Sequence, residues 1–139
     1  MKRILFLLLF ITLITSSAFA TDVKLTINNI EVDKGNIMIG VCTTEDEFLE
    51  NKVAKYGFFF PAKKGSITET ISIPDGKYAI IVYHDANSDK ILNKGFMGKP
   101  TEKYGFSNNF FGSFGKKPPF EKAIVDINSS SNQITINLR

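Results

Sequence analysis

Four oxygen-bearing side chains, Asp85, Asn87, Asp89 and Asn93, fall within the stretch YHDANSDKILNKGFMGKPTEKYGFSNN, residues 83–109. With Asp85 as position 1, Asn87 stands at 3, Asp89 at 5, the Ile91 carbonyl at 7 and Asn93 at 9, the spacing by which a coiled loop turns hard oxygen ligands onto calcium. Calcium takes six to eight such ligands, yet position 12 is Phe96, and position 6, where the sharp turn prefers glycine, is Lys90. Two formal negative charges remain, partly offset by Lys90, and Glu102 could join them only if the loop folds back. A site of this composition would be weak, roughly 10⁻⁴–10⁻³ M as in extracellular calcium modules. The competing reading is a self-capping turn, because Asp and Asn side chains bond their own downstream amides and tolerate left-handed backbone. That turn is the preferred expectation, with calcium as the alternative.

His84 is the only histidine. With Asp85, Tyr104 or Ser107 it could act as the base of a small hydrolase or isomerase, provided those groups converge in a pocket. A site built from several histidines is excluded within one chain. His84 ends an apolar segment, so a packed or loop-bonding imidazole is the expectation. The single Cys42, inside IMIGVCT, reads as a small buried hydrophobe. A candidate binding surface is formed by Tyr104, Phe106, Ser107, Asn108, Asn109, Phe110, Phe111 and Phe114. Exposed, these aromatics mark a partner or glycan surface; buried, they are the loop's own core.

The elements that must position these residues are short strands. Val23, Leu25 and Ile27 alternate with polar neighbours, DKG (33–35) signals a turn, and Ile37, Ile39 and Val41 resume the alternation, together suggesting a β-hairpin. Thr44 followed by Glu45, Asp46 and Glu47 suggests a capped helix of one or two turns. Ile67, Ile71 and Ile73 share a face with the misfit Glu69, and PDG (74–76) leads into KYAIIVYH, apolar on both faces and so a central strand. KAIVDI and NQITINL, joined by the polar NSSSN, supply two more strands. The pattern predicts an all-β fold, an antiparallel sandwich of about seven strands, immunoglobulin-like or transthyretin-like. Between Asp85 and Pro119 no clear strand is legible, and connections of that length are usually functional or disordered; the Gly- and Phe-rich composition argues for order.

The ends place the protein. Lys2 and Arg3, the apolar run ILFLLLFITLI and the small residues of SSAFA make residues 1–20 an expected signal peptide cut after Ala20, leaving one domain over residues 21–139. At about 11 residues the apolar run is shorter than the roughly 20 that span a bilayer, and no other segment is apolar enough to cross one. Export to the periplasm or beyond is expected. Loss of Lys2 and Arg3 lowers the formal charge of +3 to 3 − 2 = +1, so bulk charge recruits no nucleic acid. One cysteine excludes an internal disulfide, which leaves packing to stabilise the domain.

The blocks PDGKYAIIVYHDANSDKILNKGFMGKPTEKYGFSNN and FGKKPPFEKAIVDI closely resemble the bacterial domain-of-unknown-function 2141 family. Its members are exported proteins that run from GxY through HDxNxDxxL and GxPxExYGFSNN to PxFExA. The matching elements are Gly76 and Tyr78, His84 to Leu92, Gly98 to Asn109, and Pro119 to Ala123. The resemblance covers essentially all of the expected mature chain and implies a small β-sandwich, with no activity to transfer. Members often carry Gly where Lys90 stands and Asp where Asn93 stands, and both differences weaken a cation site. The functional expectation is a non-enzymatic envelope module that binds or supports an unidentified protein or glycan. The enzyme using His84 and a purely structural module using the Phe-rich loop are the alternatives.

Overall fold

The computed structural model describes residues 19–49, 53–113 and 116–139. The expected signal peptide lies, through residue 18, outside the described residues, as does Phe114.

Period-two sequence becomes two stacked sheets. In the three-stranded sheet, β1 (Ala20–Ile30) lies between β4 (Gly65–Pro74), which it pairs antiparallel, and β8 (Gln133–Asn137), which it pairs parallel. The second sheet runs β3 (Tyr56–Pro61), β2 (Asn36–Cys42), β5 (Gly76–Asp85) and β6 (Tyr104–Phe106). β7 (Ile124–Ile127) shares β5's far edge with β6, taking residues 76–79 where β6 takes 81–83. Val23, Leu25 and Ile27 meet Ile39, Val41, Ile80 and Val82 in a common core, with Ile67, Ile71 and Ile73 from β4. The β-sandwich is therefore as expected, with eight strands among the described residues and one parallel pair, β1 with β8, where antiparallel pairing was expected.

One pairing differs from expectation. β1 and β2 do not form a hairpin; the DKG turn carries the chain from one sheet to the other. Gly35 makes the crossing possible: its φ is +72°, and a Cβ there would lie 1.9 Å from the Asp85 carbonyl oxygen. Alternation states which face of each strand is buried, and two strands facing each other across a core satisfy it as well as two strands side by side. Two strands were also illegible, β3 in the aromatic run YGFFFP and the three-residue β6.

The five-stranded sheet is covered on both faces. Its outer face carries a second core of Cys42, Ala79 and Phe106 under Phe48 of α1 (Glu45–Leu49) and Ala123 of α2 (Phe120–Ala123). α1 begins as expected, with Thr44 Oγ1 accepting the Glu47 amide at 3.3 Å and the Glu47 carboxylate reaching back to the Thr43 amide at 2.7 Å. α2 absorbs Lys122 and Ala123, so the strand expected over KAIVDI starts only at Ile124. β5, buried on both faces and paired on both edges, is the central strand its composition implied.

Two glycine substitutions should separate crowded from open backbone. Gly35→Ala combines a left-handed φ with a backbone clash and should cost about 3 kcal/mol or more in urea unfolding. Gly57→Ala meets nothing within 4 Å and should stay within about 0.5 kcal/mol of the parent.

Candidate functional site

The outer face of the five-stranded sheet is only partly covered, and what remains open is a cleft of about 1690 Å³. Two cross-strand rows make its floor. Phe59, Met38, Tyr83 and Tyr104 lie in register in one row, and Gly57, Gly40, Ile81 and Phe106 in the next. Two adjacent glycines remove side chains from half of the second row, leaving open backbone at Gly57 while the Ala54 methyl packs over Gly40. Walls come from Leu49, Val53 and Ala54 after α1, from residues 90–100, and from Lys116 and Lys117. Exposed apolar groups crowd this region: Phe59 is 67% exposed, and Phe96 and Met97, at the tip of the segment closed by the Lys94–Pro100 bridge, are 94% and 90% exposed. A smaller depression of about 510 Å³ lies along β7 and β8 beside Asn108 and Asn109.

The Asp85 loop supports that segment from below. Asp85 is fully buried, and its two carboxylate oxygens accept the amides of Asp89 at 3.1 Å and Lys90 at 2.9 Å. Asp89 accepts the Ile91 amide at 2.8 Å through Oδ1, and through Oδ2 the side-chain amides of Asn87 and Asn93, each at 2.8 Å. These bonds hold the Asp89 carboxyl below its ordinary range, the Asn93 amide contributing most. Glu102 does fold back, accepting the amides of Ala86 and Asn93. Ser88 and Lys90 both hold left-handed φ, 62° and 63°, which explains why glycine suits the Lys90 position. The structure thus gathers Asn87, Asp89 and Asn93 into mutual contact, with Asp85 and Glu102 tied to loop amides beside them. Among the described residues no group of three or more His, Cys, Asp and Glu side chains is placed to hold a metal ion.

The other candidate residues act on backbone. The His84 ring Nε2 lies 2.7 Å from the Lys34 carbonyl, and because a carbonyl only accepts, that nitrogen donates. Ser107 accepts the Ile80 amide at 2.9 Å and donates to the Ala123 carbonyl. Its attachment point on β5 is four residues from His84, or about 13 Å of strand, and Tyr104 pairs with Tyr83 on the sheet face opposite His84. His84, Tyr104 and Ser107 therefore do not converge on one pocket. Asn108 donates to the carbonyls of Lys122 and Ile124, while Asn109 donates to the Thr135 carbonyl and accepts the Asn137 amide.

Of the expected binding surface, Phe106 and Ser107 are buried and offer no outer surface. Phe111 packs edge-on against Tyr104 and Phe106 beneath the Arg139 guanidinium, 4.2 Å from its ring centre. Phe110 is half-exposed. The aromatics of this segment are chiefly its own core, and the exposed apolar residues lie instead on the cleft. Cys42 is buried as expected, and burial with the nearby Glu47 charge pushes its thiol up to about 11. Tyr104 and Phe106 of the expected surface lie in the floor rows; the rest of the floor and the lysines were missed. The signals present were the YGFFFP run and a glycine at Gly40 in a strand otherwise rich in large apolar residues.

Residues 25–135 match the sequence model of a bacterial family described as "Uncharacterized protein conserved in bacteria (DUF2141)". No curated protein matches the chain, and no solved structure does.

Asp85→Ala should cost about 3 kcal/mol, since it orphans two loop amides that now bond a charged group. The same loss in chelator and in millimolar calcium is expected of a self-capped turn. A calcium-specific rise in the parent's melting temperature, absent from Asp85→Ala and Asp89→Ala, would assign the loop to the cation instead.

Proposed function

The chain belongs to the DUF2141 family of uncharacterized bacterial proteins, and we propose that it is an exported, non-enzymatic binding module of the cell envelope whose working face is the outer-sheet cleft. The observation that carries this reading is the cleft itself. Among the described residues the sheet face is left open over Gly57, with Phe59, Phe96, Met97 and Ile91 exposed about it. Large apolar groups in contiguous exposure normally serve recognition, and concave apolar sites with a few polar groups are the usual form of a binding pocket.

Export rests on the N-terminal charge, apolar run and small-residue site; among the described residues no helix is long and apolar enough to cross a membrane. The Asp85 loop serves the working face as its support. Hydrogen bonds within the loop already occupy both Asp carboxylates, so the reading requires no calcium. The separation of His84 from Ser107 and Tyr104 favours binding over catalysis.

A neutral solvatochromic dye such as Nile red tests the cleft. The parent should enhance its fluorescence, and Gly57→Phe, which fills open space on an exposed strand position, should weaken dye binding about tenfold or more while its unfolding curve is unchanged. Equal dye binding by parent and variant would overturn the cleft as the working face. Mass spectrometry of the protein recovered from the periplasm or medium should show a chain beginning at Thr21.

A further inference from the structure

The lysines around the cleft point to the ligand's chemistry. Lys90, Lys94, Lys99 and Lys116 are exposed along its rim, and none of the four takes part in an ion pair among the described residues. Lys117 is partly buried at the inner end, where its ammonium donates to the Phe48 carbonyl at 2.7 Å and lies 6.0 Å from the Phe48 ring centre. Burial lowers its pKa, with Cys42 acting against that shift and the Lys94 charge adding to it. Among the described lining residues the one acid is Glu47, and its carboxylate is committed to the amide and hydroxyl of Thr43. Five lysines against one carboxylate give the opening a net positive charge above an apolar floor.

Resting on the cleft reading above, we infer that the occupant is an anionic amphiphile: an aliphatic chain lying over Gly57, Met38 and Ile81, with a carboxylate or phosphate head among Lys94, Lys99 and Lys116. Charge complementarity selects the head, because a cationic amphiphile meets net repulsion from the rim lysines. The rim contains lysine and no arginine, so it supplies mobile point charges in place of the planar fork that reads a guanidinium-matched group. Chain over backbone selects the tail: the glycine row lets a flexible apolar chain approach the sheet closely, and the exposed aromatic and Met97 side chains can close over it.

The test is isothermal calorimetry on the purified protein with dodecanoate, dodecyl phosphate, dodecanol and dodecyltrimethylammonium, each below its micellar concentration. Binding of either anion at least about tenfold tighter than dodecanol or the ammonium compound is expected, and the tighter of the two anions distinguishes a fatty-acid head from a phospholipid-like one. Lys94→Glu with Lys99→Glu should remove that preference and leave dodecanol binding unchanged. Dodecanol and dodecanoate binding equally would overturn the anionic head while leaving the cleft reading intact. No chain binding, with Nile red still bound and still blocked by Gly57→Phe, would overturn the amphiphile alone. Loss of both would remove the cleft as a site.

Discussion

Two sheets can share a core only if the seam where they meet leaves no buried backbone group unpaired. In this protein that seam is held by three consecutive side chains. Asn109 presents one donor and one acceptor to β8, at Thr135 and Asn137, much as a neighbouring strand would. Asn108 takes two carbonyls at the join of α2 and β7, and Ser107 bridges β5 to the end of α2. Asn108 and Asn109 do this from left-handed backbone, φ 61° and 52°, which asparagine tolerates better than most residues. Just before them, Gly105 lets β6 press against β8, where a Cβ would come 2.7 Å from Ile136. No buried side-chain nitrogen or oxygen among the described residues lacks a partner.

Everything on the outer face hangs from that seam. β6 is three residues long and could not persist as an isolated pairing; it is kept in place by the turn after it and by the reciprocal amide–carbonyl bonds between Tyr104 and Arg139. With β6 fixed, Lys103 receives the His84 amide and Glu102 receives two amides of the Asp85 loop. The segment over the cleft is therefore anchored at both ends by carboxylates buried or half-buried against backbone. Its tip, with Phe96 and Met97, is not. A rigid base with an apolar, exposed tip is the arrangement expected where a wall must stay registered while its edge adapts to what enters.

Legibility in the sequence followed the range of the interactions. Ile67, Ile71 and Ile73 betrayed their buried face through period two, Thr44 its cap through local chemistry, and β5 its central place through apolarity on both sides. The Asp85 loop was legible as a turn because the bonds of the Asp85 and Asp89 carboxylates span only two to five residues. The hairpin assigned across Asp33 to Gly35 went astray because strand partnership is decided by the whole core. β3 was hidden by aromatics on both faces, Phe58 and Phe60 inward and Phe59 outward, which erases alternation. The roles of Asn108 and Asn109 depend on partners 14 to 28 residues away, beyond the reach of local composition.

The cleft is the place where local rules and the fold disagree. Strands favour large side chains, yet glycines stand side by side in β2 and β3, and the phenylalanines that could have filled the gap lie exposed around it. Gly40 has a packing reason, since a Cβ there would crowd Ala54 at 3.2 Å; Gly57 has none, with open space above it. Among the described residues the buried polar side-chain groups are all satisfied, and this one face departs from that internal consistency, the kind of departure on which the proposed binding role rests.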